Sequence, residues 1–225
     1  MVKLQNIKST IATFPNVSII AKPSDIIKIC GDNGSGKTTL LKIISGLTPN
    51  YTGEVVILSS HNYNKTNQIN RANHNIHGDD EKSIRNSKIV AVFAQNALQD
   101  DLTVEENINI MSQLESGINL SPAAIEFFGL HQFCNTKICH ASSGTARKTA
   151  LSRLLVCLGD IWIIDEAESC LDENSRIILK GLIETKASQG GIVFFTSQTD
   201  YMSDIASQTI NLKASASVNF NESII

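Results

Sequence analysis

The sequence predicts an α/β protein whose core is a mainly parallel β-sheet covered by helices on both faces. Three observations carry that prediction. Wholly apolar runs of strand length, Ile161-Trp162-Ile163-Ile164 and Ile192-Val193-Phe194-Phe195, recur along the chain. Segments with apolar residues at helical spacing separate such runs. A glycine-rich turn follows one apolar strand and leads straight into one such helix. Strands buried on both faces that alternate with helices belong to parallel sheets.

The elements follow in order. Up to about Lys28 the chain alternates apolar and polar residues around Pro15 and Pro23, which predicts short strands and turns. Residues 26–30 form an apolar strand. Residues 38–46 place Leu40, Leu41, Ile43 and Ile44 at helical spacing, and Gly46 fits a helix stop. A strand returns over 53–58. From 59 to 87 the composition shifts to Asn, His and charged residues, which predicts a solvated insertion. A strand over 88–94 precedes a mostly helical stretch over 103–158, interrupted near Gly117, Pro122, Gly129 and 141–144. The buried strand 161–164, a helix over 173–187 and a strand over 191–196 come next. A short helix near 201–206 and an edge strand over 207–212 complete the pattern, and no internal repeat is visible.

Composition bounds the classes open to the chain. Its 225 residues suffice to bury about 70% of the unfolded surface, so folding needs no disulfide. Hydrophobic content of 42% with 18% charged residues excludes a disordered chain, a collagen-like repeat and a disulfide scaffold. Nineteen basic and twenty-two acidic residues give a net charge of −3, so no general nucleic-acid footprint exists and any anion must be held locally. No apolar run approaches the roughly 20 residues of a membrane span, and the opening Met1-Val2-Lys3-Leu4-Gln5-Asn6 does not read as a signal peptide. The five cysteines form no Cys-x-x-Cys pair, and the expectation is a cytosolic protein with reduced thiols.

Two motifs carry chemistry. Gly31-Asp32-Asn33-Gly34-Ser35-Gly36-Lys37-Thr38 is a full G-x-x-x-x-G-K-[ST] phosphate loop between a strand and a helix, with Thr39 in the first helical turn. The glycines let backbone N–H groups curl inward around phosphate oxygens, and the helix adds its positive dipole end. Lys37 is expected to reach the β- and γ-phosphates and the Thr38 hydroxyl to ligate Mg²⁺. The second motif is the strand 161–164 ending in Asp165-Glu166. Carboxylates at the C-terminal end of a parallel strand lie beside the phosphate crevice. Asp165 is expected to hold Mg²⁺, directly or through water, and Glu166 to orient or deprotonate an attacking water. Together they predict binding of a nucleoside triphosphate.

The remaining motifs resemble those of the ABC transporter ATPases. Ala141-Ser142-Ser143-Gly144-Thr145, with the basic, Ala/Leu-rich segment behind it, resembles the family signature. Phe93-Ala94-Gln95 resembles its Q-loop, Ser169-Cys170-Leu171-Asp172 its D-loop, and Thr196-Ser197-Gln198 its switch segment. Within the family the likeness is greatest to the ATP-binding subunits of bacterial haem exporters serving cytochrome c maturation. The cues are the run 101–108, Trp162 ahead of the carboxylates, and Gln189-Gly190-Gly191-Ile192-Val193.

The resemblance implies a single ABC-type P-loop NTPase domain over 1–225, with an antiparallel N-terminal β region and a helical subdomain. Residues 1–95 and 159–225 would form the core lobe, 96–158 the helical lobe and 59–87 a polar insertion. It implies ATP and Mg²⁺ as ligands and a homodimer with two ATP sites, each shared between one copy's phosphate loop and the other's Ser142, Ser143, Gly144 and Asp172. Gln95 would touch Mg²⁺ and the attacking water, and Gln198 would stand at the γ-phosphate. The helical lobe would contact integral-membrane transporter subunits on the cytoplasmic face of the bacterial inner membrane. No nucleic-acid partner is implied, and haem would not be bound by this chain itself.

Departures from the family pattern bear on the activity. Ser143 replaces the first signature Gly, Ala141 and Thr145 replace Leu and Gln, and Ala167 replaces a Pro. Gln198 stands where the family carries His; an amide can donate a hydrogen bond but cannot carry a proton. No aromatic residue is placed to stack on adenine, Ile11 and Phe14 being the nearby apolar side chains. A degenerate ATP-binding regulatory subunit with little hydrolysis, the ATPase of another transporter, and a soluble ABC ATPase acting on nucleic acid or ribosomes are the alternatives. His61, His74 and His77, and separately Cys134, Cys139 and His140, lack the spacing of a metal site and read as structural or solvated residues. Lys82, Arg85 and Lys88 read as a solvated rim.

Overall fold

A computed structural model describes residues 1–58, 88–117 and 119–213. Among the described residues eight strands build two sheets. β1 (Val2–Ser9), β2 (Val17–Ala21) and β4 (Tyr51–Ile57) form an antiparallel sheet in the order β2-β1-β4. β3 (Ile26–Cys30), β5 (Ile89–Val92), β6 (Ile161–Ile164), β7 (Ile192–Thr196) and β8 (Gln208–Asn211) form a parallel sheet in the order β5-β6-β7-β3-β8. The central strands β6 and β7 are buried at every position, whereas edge strand β8 buries only Ile210. The apolar edge strand β5 buries only alternate residues, Val90 and Val92, so full burial on both faces marks the strands inside the sheet.

Side-chain alternation along those strands feeds two cores. Ile161, Ile163 and Phe194 face the core that holds the antiparallel sheet and helix α1 (Lys37–Ile44). Trp162, Ile164, Val193 and Phe195 face the other core. There they meet α2 (Val104–Ser116), α3 (Ser121–Phe127), α4 (Ser143–Leu151), α5 (Arg153–Val156) and α6 (Glu173–Ser188). The two-residue period of a strand sends neighbours to opposite faces, so one sheet anchors both layers.

Local sequence explains where the helices begin and end. Thr103 caps α2 with a full capping box: its hydroxyl accepts from the Glu106 N–H, and the Glu106 carboxylate accepts from the Thr103 N–H at 2.8 Å. Pro122 marks the interruption expected near it, since α2 ends at Ser116 and α3 begins at Ser121. It occupies the first turn of α3, where its missing N–H has no intrahelical partner to lose. The segment behind the signature also divides, at Ser152, whose hydroxyl donates to Lys148 O at 3.1 Å. The predicted helix near 201–206 is a single 3₁₀ turn, Ser203–Ile205. The predicted insertion over 59–87 lies outside the described residues.

Strand order positions the chemistry. β7 lies between β6 and β3, and the register sets Ile164 beside Phe195 and Ile29 beside Thr196. The glycine turn after β3, the carboxylates after β6 and the segment after β7 therefore emerge side by side at one end of the sheet, where ligands of open parallel sheets bind.

Candidate active site

The turn after β3 closes tightly on the protein. Gly36, the N-cap of α1, has φ 94°, and a Cβ there would lie 2.7 Å from Phe14 Cδ1. Only glycine satisfies both the left-handed backbone and the contact. Lys37 Nζ donates to Gly31 O at 2.8 Å and Asp32 O at 2.9 Å, so the ammonium folds over its own loop. The Ser35 hydroxyl is buried without a partner among the described residues. An orphan hydroxyl and a glycine cradle at a helix N-terminus fit a phosphate chain. An open cavity of about 600 Å³ lies against this loop. Asn33, Gly34, Gly36, Lys37, Thr38 and Thr39 line it, as do Asp165, Glu166 and Gln198.

Both oxygens of the Asp165 carboxylate are occupied. Oδ2 accepts from the Thr38 hydroxyl and Oδ1 from the Thr196 hydroxyl, each at 2.7 Å, and the residue is 1% exposed. Thr196 Oγ1 also accepts from the Glu166 N–H at 2.7 Å. One hydroxyl thus fixes both acidic residues, and sequence reading missed it. Glu166 has φ 48°, a left-handed conformation that costs a non-glycine residue about 1–3 kcal/mol. That turn keeps the Asp165 carboxylate inside while Glu166 meets the cavity. Ala167 donates its N–H to Thr196 O at 3.0 Å, a bond that the proline usual in the resembled family cannot make.

Three further residues escaped the sequence reading. Arg147, 2% exposed, donates to Phe93 O, Asn96 Oδ1, Asp165 O and Glu166 O at 2.6–3.2 Å. It ties the end of β5 to the backbone of the acidic turn. Burial lowers its pKa from the ordinary value, and the negative charge of Asp165 opposes the shift. Lys28, buried on β3, spends all three protons on Thr199 O, Asp200 Oδ1 and Ser203 Oγ, which anchors the segment after β7. Glu168, also buried, accepts from Ser197 and Thr199. Their signals are hidden in sequence because every partner lies far along the chain.

The other predicted residues lie elsewhere. Gln198 is the exception: it lines the cavity, its Nε2 donating to Glu166 Oε1 at 3.1 Å. Gln95 is exposed beyond β5 and does not line the cavity. Ser142 caps α4, accepting from the Thr145 N–H at 3.1 Å, while Ser142 and Ser143 face outward. A Cβ on Gly144 would lie 3.0 Å from Cys170 O, so the signature packs directly on the turn before α6. Asp172 caps α6 and pairs with Lys148 at 3.0 Å. Bonds from Ser175 first, then Lys148, lower its pKa to about 2. None of 142–144 or 172 lines the phosphate-loop cavity. Phe14 is buried in the core, which leaves exposed Ile11, with the small Ala12 beside it, as the apolar lining of the cavity. Among the described residues no group of three or more His, Cys, Asp and Glu side chains could hold a metal; His61, His74 and His77 lie outside them.

A phosphate loop, a buried strand-end carboxylate and a helix-capping Ser-x-Gly on one parallel sheet define an ATP-binding cassette ATPase. The ABC transporter family model matches residues 14–169, and the chain belongs to that family. It is homologous to the cytochrome c biogenesis ATP-binding export proteins CcmA. The protein of that name from Rickettsia felis is 32% identical over 82% of this chain and 85% of its own length. That from Wolbachia pipientis wMel is 32% identical over 94% of this chain and 92% of its own. Among solved structures, the dimeric ATP-binding cassette MJ0796 in a post-hydrolysis state bound to ADP and Pi superposes with a TM-score of 0.74. It is 25% identical, and the match covers 96% of this chain and 97% of that one.

Proposed function

We propose that this chain is the ATP-hydrolysing subunit of a membrane export complex serving cytochrome c biogenesis, which moves haem or releases a haem-loaded chaperone. One observation carries the hydrolytic part: Asp165 bonded to Thr38, and Glu166 in contact with Gln198, border the same cavity as the phosphate loop. Family membership and the CcmA relatives favour this reading over a regulatory subunit with little hydrolysis.

In this reading Lys37 exchanges the Gly31 and Asp32 carbonyls for β- and γ-phosphate oxygens, while Asp32 to Thr39 surround the chain with backbone donors. Thr38 Oγ1 and Asp165 Oδ2 are the hard oxygen donors that Mg²⁺ prefers, with Gln95 as a further ligand when its segment moves in. Bound there, Mg²⁺ would neutralise phosphate charge. Glu166 takes a proton from the attacking water. Gln198 has two N–H donors, so its amide holds Glu166 with one and a γ-phosphate oxygen with the other.

The outward-facing Ser142, Ser143 and Gly144 at the N-terminus of α4, with Asp172 nearby, would complete the site of a second copy in a homodimer. The dimeric cassette structures support that arrangement. The 96–158 lobe would dock on integral-membrane subunits at the cytoplasmic face of the bacterial inner membrane. Exposed Ile110, Leu114 and Leu158 there support such a contact, and no helix among the described residues is long and apolar enough to cross a membrane. Haem would be handled by those subunits rather than by this chain.

Glu166→Gln is the test. It should accumulate an ATP-bound dimer, read by light scattering, and co-purify with integral-membrane cytochrome c assembly factors. A variant that stays monomeric at saturating ATP overturns the two-copy site.

A further inference from the structure

The turn after β6 carries a third carboxylate, unused in the mechanism above. Glu168 is 5% exposed. Its Oε1 accepts from the Ser197 hydroxyl at 2.6 Å and from the Thr199 hydroxyl, the residues on either side of Gln198. Ser197 has one proton to give and two acceptors in reach, Glu168 and Thr199 O at 2.7 Å. Of the two acceptors the carboxylate oxygen is the nearer, and Thr199 O is shared with Lys28 at 2.8 Å. Hydrogen bonds to an ionised acceptor are about twice as strong as neutral ones. Glu168 Oε2 is buried with no partner among the described residues, so nothing else there claims the carboxylate. It lines a cavity of about 160 Å³ together with Glu166, Gln198 and Arg176.

We propose that Glu168 is a positioning residue for the switch: by gripping the hydroxyls that flank Gln198, it sets the Gln198 amide against Glu166. The assignment rests on the reading of Glu166 and Gln198 as catalytic. The physical need is plain. The Gln198–Glu166 bond is long at 3.1 Å and solvent-exposed, and such a bond by itself is a weak constraint on a flexible amide side chain. Holding the backbone on both sides leaves only the Gln198 side chain to order. Glu168 from one side and Lys28 from the other make the segment 197–203 part of the scaffold.

The test uses the full chain with its membrane partners. Glu168→Leu should lower kcat about tenfold, as expected when a transition-state donor is displaced rather than deleted, with ATP affinity unchanged within about twofold. Glu168→Gln, which keeps an acceptor oxygen, should recover most of that loss. In a Gln198→Ala background Glu168→Leu should add nothing, because it acts only through Gln198. Equal losses in both backgrounds, or an unchanged kcat in the parent, overturn the assignment. If Glu168→Leu fails to fold with two hydroxyls stranded, Glu168→Leu/Ser197→Ala/Thr199→Val removes both sides of the contact and should give the same kcat loss. A second readout needs no turnover: hydrogen exchange of the Gln198 side-chain amide by NMR, assigned by its disappearance in Gln198→Ala. Exchange should quicken in the triple variant, and unchanged exchange overturns the positioning role. A parent chain that hydrolyses no ATP would instead sink the proposed function while leaving this measurement decisive.

Discussion

The side-chain amide of Gln198 donates to Glu166 Oε1 across 3.1 Å, joining residues 32 positions apart at the ends of adjacent parallel strands. The contact is possible because β7 pairs directly with β6, and each strand turns at its C-terminal end toward the phosphate loop. A neutral amide thus occupies the place beside the acidic residue where the family carries an imidazole.

Gln198→His should therefore raise ATP turnover, measured as phosphate release with the membrane partner present. Relative to the parent it should also add a pH-dependent component centred near the ordinary imidazole pKa of about 6.5 or above. Glu166 favours the protonated imidazole, the better donor, so the added rate should decline as pH rises through that pKa. Gln198→Ala should lower the rate by up to about 10²-fold.

Thr196→Val tests the hydroxyl that serves both acidic residues. It leaves Asp165 Oδ1 and the Glu166 N–H without their 2.7 Å partner. Stranding buried polar groups costs about 3 kcal/mol here. For a chain of this size that lowers the melting temperature by about 6–12 °C. Calorimetry checks it, and Thr196→Ser should retain both bonds and most of the stability.

Arg147→Lys should be far from conservative. The guanidinium reaches carbonyls of two separate turns and Asn96 at once, and an ammonium lacks the fork to do so. We expect a loss of about 2–3 kcal/mol in stability by denaturant unfolding, from carbonyls left without donors. Turnover should fall as well, because the Glu166 backbone loses its tether. Lys148→Met, one residue along and half-buried but bonded only to the exposed Asp172 carboxylate, should cost much less.

Asp172 predicts a specific acid response. Its folded pKa of about 2 lies below the ordinary carboxylate value. The α6 cap and the Lys148 pair therefore stabilise the fold fully above about pH 4 and are lost as the pH falls toward 2. An NMR titration of the Asp172 carboxyl reads the value directly. Ser175→Ala, which removes the hydroxyl bond that is the largest single cause of the shift, should raise it, and so should Lys148→Met.

Much of the site was legible from local pattern. The phosphate loop works through consecutive backbone groups and one helix N-terminus, so Gly31 to Thr38 announce it without reference to the rest of the chain. Asp165 and Glu166 were legible because an apolar run immediately before them marks a buried strand end. Gln95 and the 142–144 segment were legible only as motifs, and the single chain holds them away from the phosphate-loop cavity. Pro122 was legible as a helix boundary, because a proline fits the first turn of a helix and not its interior. Arg147, Thr196, Lys28 and Glu168 were not legible as site residues, since each is an ordinary residue type whose partners lie 18 to 175 positions away.

The amino-acid sequence by itself determined the parallel-sheet class, the triphosphate loop, the acidic strand end and the family. These depend on hydrophobic period, on the dihedral freedom of glycine, and on short runs whose chemistry is complete within a few residues. The tertiary structure alone decided that β7 lies between β3 and β6. That order is what lets Thr196 grip Asp165 and Glu166 together, and lets Gln198 meet Glu166 with Glu168 and Lys28 holding its flanks. Strand order is set by how two whole cores pack against a shared sheet. No local pattern encodes it, and hydrogen bonds between distant side chains follow only after it is settled.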